Sequence, residues 1–146
     1  MEINDNGLSY LLDQKNYTAK IIKSIYAYGN IFIPRSLNYR NNDYLIIEID
    51  SSAFQRNQNI DSITFALDSE IKTIPRDAFN GCSITKLSLP KNIETFEDGW
   101  CRSNVSLCHI SIPSDNKRFQ IIDKMLICFQ DEITLLFAYR DIETVV

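Results

Sequence analysis

The chain has 146 residues, 45% hydrophobic and 23% charged, an ordinary globular balance that excludes disorder and suits one domain with a sizeable core. A net charge of -4 argues against nucleic acid or an anionic membrane as partner, and the densest basic run, Lys117-Arg118, is two residues long. No apolar run reaches the roughly 20 residues of a spanning helix. The polar start Met1-Glu2-Ile3-Asn4-Asp5-Asn6 lacks the form of a secretory signal, so the expectation is no membrane insertion and either a cytosolic chain or an excerpt from a longer exported one.

In chain order, Leu8-Ser9-Tyr10-Leu11-Leu12 and Thr18-Ala19-Lys20-Ile21-Ile22 flank residues 13–17. They predict a hairpin, assigned with residues 1–30 to an N-terminal cap that covers a sheet edge. Ile31-Phe32-Ile33-Pro34 follows, then Asn41-Asn42-Asp43 between Tyr39 and Tyr44, which reads as a second hairpin turn. Ile46-Ile47-Glu48-Ile49 then leads to Ala53-Phe54.

From here a two-part phrase recurs. Its first half alternates: Ile63-Thr64-Phe65-Ala66, Leu87-Ser88-Leu89-Pro90 and Ile110-Ser111-Ile112-Pro113. Alternation buries the first and third residues and exposes the second, and proline, having no N–H, ends the strand at once. The second half spaces apolar residues three apart, as in Ile71/Ile74 before Ala78-Phe79 and Ile93/Phe96 before Trp100. That spacing predicts an extended turn into a short helical or 3-10 segment. Phe54, Phe79 and Trp100 are expected to stack between units as the structural core. Ile63, Leu87 and Ile110 lie 24 and 23 residues apart, a period that marks a stacked solenoid whose units bury their apolar faces against one another.

Residues 31–113 hold the repeats, and residues 114–146 are read as a C-terminal hairpin with a truncated repeat. The hairpin places residues 125–129 and 134–139 around Gln130-Asp131-Glu132, and Ile142-Glu143-Thr144-Val145-Val146 echoes Ile93-Glu94-Thr95-Phe96.

Residues of chemical interest read mostly as structure. Cys82, Cys101, Cys108 and Cys128 have no C-x-x-C spacing and stand with a single histidine, so no metal site is expected. Disulfides and packed thiols both fit four cysteines, and repeat spacing favours thiols. His109 with the neighbouring cysteines supports a weak hydrolase or redox hypothesis, but no nucleophile turn accompanies it. The four glycines form no phosphate cradle, and no cofactor is expected. Asn16-Tyr17-Thr18 and Asn104-Val105-Ser106 are glycan acceptor sequons in an exported context.

Taken together, Ile-x-Ile-Pro, Ile-x-x-Ile and Ala-Phe-x-Gly-Cys resemble the leucine-rich repeats of the BspA-like type. Asn30-Ile31-Phe32-Ile33-Pro34-Arg35-Ser36, Asp68-Ser69-Glu70-Ile71, Asp98-Gly99-Trp100-Cys101 and Arg140-Asp141-Ile142-Glu143 are similar to its protist surface-antigen branch. The resemblance implies a mainly β, right-handed solenoid with short parallel strands and no catalytic residues. It also implies a surface or secreted adhesion role toward host or cell-surface proteins. Phe65-Ala66 departs from the Ile-Pro of the pattern.

The outward column of the strands, Phe32, Ser62, Thr64, Lys86, Ser88, His109 and Ser111, is the candidate partner-binding face. The alternative is a structural capping fragment of a longer array that acts by self-association through a solenoid edge.

Overall fold

The computed structural model describes residues 1–123, 125–129 and 133–138. The alternating words come to lie side by side. Strands β4 (Gly29–Ile33), β7 (Ile60–Phe65), β9 (Lys86–Ser88) and β11 (His109–Ser111) form one parallel sheet in the order β11-β9-β7-β4. Ile31 pairs with Ile63, Ile63 with Leu87 and Leu87 with Ile110, so the 24- and 23-residue steps are single rungs. All four of these side chains are buried, as alternation with one inward face requires. The N–H of Leu89 adds one more bond to Ser111 O at 2.9 Å, and the ladder then stops at Pro90. Where alanine replaces that proline, the freed Ala66 N–H donates to Ile33 O at 2.9 Å and lengthens the pairing of β7 with β4.

The second half of each phrase builds a second ladder, divided between two sheets. β3 (Thr18–Ile22) pairs in parallel with β6 (Asn42–Ile49) within a five-stranded sheet, and β8 (Thr73–Ile74) with β10 (Thr95–Phe96) in a two-stranded one. Among the described residues there is no helix, hence none able to cross a membrane. The expected helical turn before Phe79 is instead a chain of single turns: Ala78 N–H to Pro75 O, Asn80 N–H to Asp77 O and Cys82 N–H to Phe79 O. Asp77 (φ 59°) and Gly81 (φ 68°) take left-handed conformations that a helix does not continue through. Adjacent turns are stitched across units by Arg56 N–H to Asn80 O, Phe79 N–H to Trp100 O and Gly81 N–H to Arg102 O.

Between the ladders run the aromatic rings. Phe54 stacks on Phe79 at 5.7 Å, and Phe79 meets Trp100 edge-on at 6.3 Å. Trp100 also touches Phe96 and Phe137, and Phe96 meets Phe119. Offset and edge-to-face contacts suit the charge distribution of the rings.

The N-terminal region is more elaborate than a single hairpin. β1 (Glu2–Asp5) turns through Asn6-Gly7 into β2 (Leu8–Asp13), which pairs antiparallel with β3. Asn6 (φ 49°) and Gly7 (φ 82°) both have positive φ, as a two-residue turn matched to strand twist requires. β5 (Ser36–Tyr39) pairs with β6 through Arg40-Asn41, one residue earlier than the Asn41-Asn42-Asp43 turn the sequence suggests. At the other end β12 (Phe119–Ile122), β13 (Met125–Phe129) and β14 (Ile133–Ala138) form an antiparallel sheet. The Gln130-Asp131-Glu132 turn, the Arg140-Asp141-Ile142-Glu143 motif and the closing echo at residues 142–146 lie outside the described residues.

Candidate functional site

The outer face of the parallel sheet carries two files of side chains in register. Pairing of the strands aligns Asn30, Ser62, Lys86 and His109 in one file, and Phe32, Thr64, Ser88 and Ser111 in the next. All seven residues expected from the sequence therefore fall on one surface. Ser62 and Ser88 are half-buried and the other five are exposed. Asn30, which sequence reasoning left out, completes the first file. The signal was present, since the strand begins before the Ile31 word.

The small side chains are tied to one another along the files. Ser62 Oγ donates to Asn30 Oδ1 at 2.7 Å, and Ser111 Oγ donates to Ser88 Oγ at 3.0 Å. These links order the face. Lys86 is engaged in no ion pair among the described residues and is the one fully charged group in the files. A shallow groove of about 570 Å³ follows the second file, bounded by Phe32, Leu67, Ile112 and Pro113. Phe32 and Leu67, 59% and 67% exposed, form one apolar end of this groove, and Ile112 and Pro113 lie at the other.

Burial pushes the Cys101 thiol up to about 12 and the Cys82 thiol up to about 11, so neither is a thiolate at neutral pH. Cys82 Sγ donates to Phe54 O at 2.7 Å within the core, and Cys108, exposed rather than packed, lies 3.5 Å from Thr85 O. All four cysteines are thiols. Among the described residues no group of three or more His, Cys, Asp or Glu is placed to hold a metal ion. The sequons differ in access: Asn16 is exposed in the β2–β3 turn, whereas Asn104 is 5% exposed.

Two asparagines missed in the sequence, Asn116 buried and Asn57 half-buried, hold the turns between ladders. Asn116 Nδ2 donates to Lys91 O (2.9 Å) and Ile93 O (3.0 Å), while its Oδ1 accepts from the N–H groups of Arg118 and Phe119. Asn57 does similar work, donating to Ala27 O at 2.9 Å and accepting from Asn59 N–H at 2.8 Å.

Residues 22–134 match the family model for the BspA type leucine rich repeat region, in six copies. The match is to the type as a whole and does not distinguish a protist branch. Among solved structures, the chain is similar to a leucine rich cell surface protein from Faecalibacterium prausnitzii, with 13% identity and a TM-score of 0.38 over 92% of this chain and 60% of that one. It is also similar to the pneumococcal vaccine antigen PcpA, with 14% identity and a TM-score of 0.35 over 88% of this chain and 54% of that one. The chain thus spans less than two thirds of either protein's length. A comparison with curated proteins returns no match.

Proposed function

Because this chain belongs to the BspA-type leucine-rich repeat proteins, we propose that it is a non-enzymatic protein-binding module whose contact surface is the outer face of the β11-β9-β7-β4 sheet. Its partner is a host or cell-surface protein. The repeats of residues 31–113 carry the face, and the flanking hairpin regions complete a single domain.

The observation that carries this reading is a parallel sheet with one face in solvent. Parallel sheets are normally covered on both sides. Solenoids leave one side open and use the extended surface for binding. Here that surface presents short hydroxyl side chains, one lysine and an exposed phenylalanine in two aligned files. Such groups lose little conformational freedom when a partner settles on them.

Replacing Thr64, Ser88 and Ser111 together with arginine puts three charged side chains along the groove without touching the core. Wild type and triple variant are immobilised in parallel and exposed to extracts of surface-biotinylated animal cells. A biotinylated protein retained by wild type and lost by the triple variant is expected, with thermal midpoints within about 3 °C of each other. Identical capture profiles from two equally stable proteins refute the site.

A further inference from the structure

The two ladders are finished differently at their N-terminal edge. β3 is covered by β2, and β2 by β1. Among the described residues β4 is the last strand of its sheet and has a neighbour, β7, on one side only. Gly29 N–H donates to Asn59 O, and Ile33 O accepts from Ala66 N–H, so Gly29, Ile31 and Ile33 turn their backbone groups toward β7. Alternation then turns the N–H and C=O groups of Asn30 and Phe32 the other way. They face a groove of about 800 Å³ between β4 and the β1–β2 hairpin.

This groove is preformed. Its far wall is the Asn6-Gly7 turn, seated so closely that a Cβ on Gly7 would stand 3.1 Å from Tyr26 O. Ser24, 1% exposed, fixes the hairpin from below: its Oγ accepts from Ser9 N–H at 2.9 Å and donates to Ile22 O at 2.8 Å. Tyr28 and Phe32, 76% and 59% exposed, line the near wall, and Asp5 is the one charged residue in the lining.

We propose that this groove binds a single extended polypeptide segment as a fifth strand on β4. The segment carries apolar or aromatic side chains at alternate positions and a lysine or arginine that meets Asp5. An uncovered edge is a template for strand addition, in which main-chain bonds supply affinity and flanking side chains supply selectivity. The wall argues against a second copy as occupant. Each copy's β4 is recessed behind its own β1–β2 turn, so two such edges do not meet. Pro34, with no N–H, limits the added pairing to the Asn30–Phe32 stretch. The groove shares Asn30 and Phe32 with the sheet face, but strand addition on β4 does not rest on partner binding there.

The test uses the synthetic peptide Ac-Thr-Tyr-Arg-Val-Thr-Val-NH2, an analogue N-methylated at alternate residues, and an analogue with glutamate in place of arginine. Amide hydrogen exchange of the full chain is followed by NMR. With the first peptide in excess, exchange at Asn30 and Phe32 is expected to slow at least about tenfold, with little change at Ile31 and Ile33. The N-methylated analogue should lose this effect, the glutamate analogue should weaken it, and the Thr64→Arg/Ser88→Arg/Ser111→Arg variant should retain it. Unaltered exchange at Asn30 and Phe32, or equal binding of the N-methylated analogue, overturns the proposal. So does slowing that grows with protein concentration without peptide, which would give the edge to a second copy.

Discussion

Phe79→Ala is the substitution that most directly tests how the units hold together. Phe79 is completely buried, stacked on Phe54 on one side and set edge-on to Trp100 on the other. Removing a buried aromatic from water is worth about 4–6 kcal/mol, from roughly 150–250 Å² at about 25 cal/mol per Å². That is an upper bound, because the unfolded chain already hides some surface and alanine keeps the β-carbon. A loss of about 3–5 kcal/mol remains. The upper half of that range applies, because two ring contacts, each worth about 0.5–1.5 kcal/mol, disappear at once.

In a solenoid such a loss weakens the interfaces with both neighbouring units. Trp100, the only tryptophan and 4% exposed, reports unfolding by fluorescence. In urea, with a slope of about 2 kcal/mol per M, the midpoint should fall by about 2 M. Exposed Lys72→Ala, which loses only a 3.5 Å ion pair to Glu94, should stay within about 0.5 kcal/mol of wild type. A Phe79→Ala protein within about 1 kcal/mol of wild type would refute the stacked spine as the source of stability.

Asn116→Ala strands two carbonyls and two N–H groups that the asparagine now satisfies; it should cost at least about 2 kcal/mol by the same urea titration, and a loss below about 0.5 kcal/mol would contradict this role. Asp50 is held below the usual carboxylate range, first by the Ser52 hydroxyl and N–H and then by Lys20. Its contribution is therefore present at neutral pH and disappears as pH falls below about 4. Lys20 is raised, chiefly by Glu48, so its share is lost only as pH climbs above the usual lysine range. Asp50→Asn should accordingly be less stable than wild type at pH 7 and indistinguishable at about pH 2; a gap constant across pH would exclude an electrostatic origin. Iodoacetamide on the native protein should modify Cys108 well before Cys82 or Cys101, as read by mass spectrometry of peptides. Early modification of Cys82 would show that the core opens readily there.

Periodicity in the sequence determined the parallel ladder and its register. Ile31, Ile63, Leu87 and Ile110 had to face inward, and a slip by one residue would have put each of them in water. The outward files followed from the same alternation. Some local signals were present but unused: Asn6-Gly7 marks a two-residue hairpin turn, and it is that turn which walls the edge groove. The Arg40-Asn41 turn was less legible, because arginine at positive φ is an unfavourable choice that the pairing of β5 with β6 imposes.

Other features depended on which distant segments become neighbours. Asn116 reads as a loop residue until the carbonyls of Lys91 and Ile93 close over it, and Asn104 reads as a glycan acceptor until packing covers it. Only tertiary structure left β4 uncovered while β2 closed the edge of β3. Alternation is a property of one strand and is written in its own residues. The state of an edge belongs to the space beside the strand, which no residue of that strand specifies.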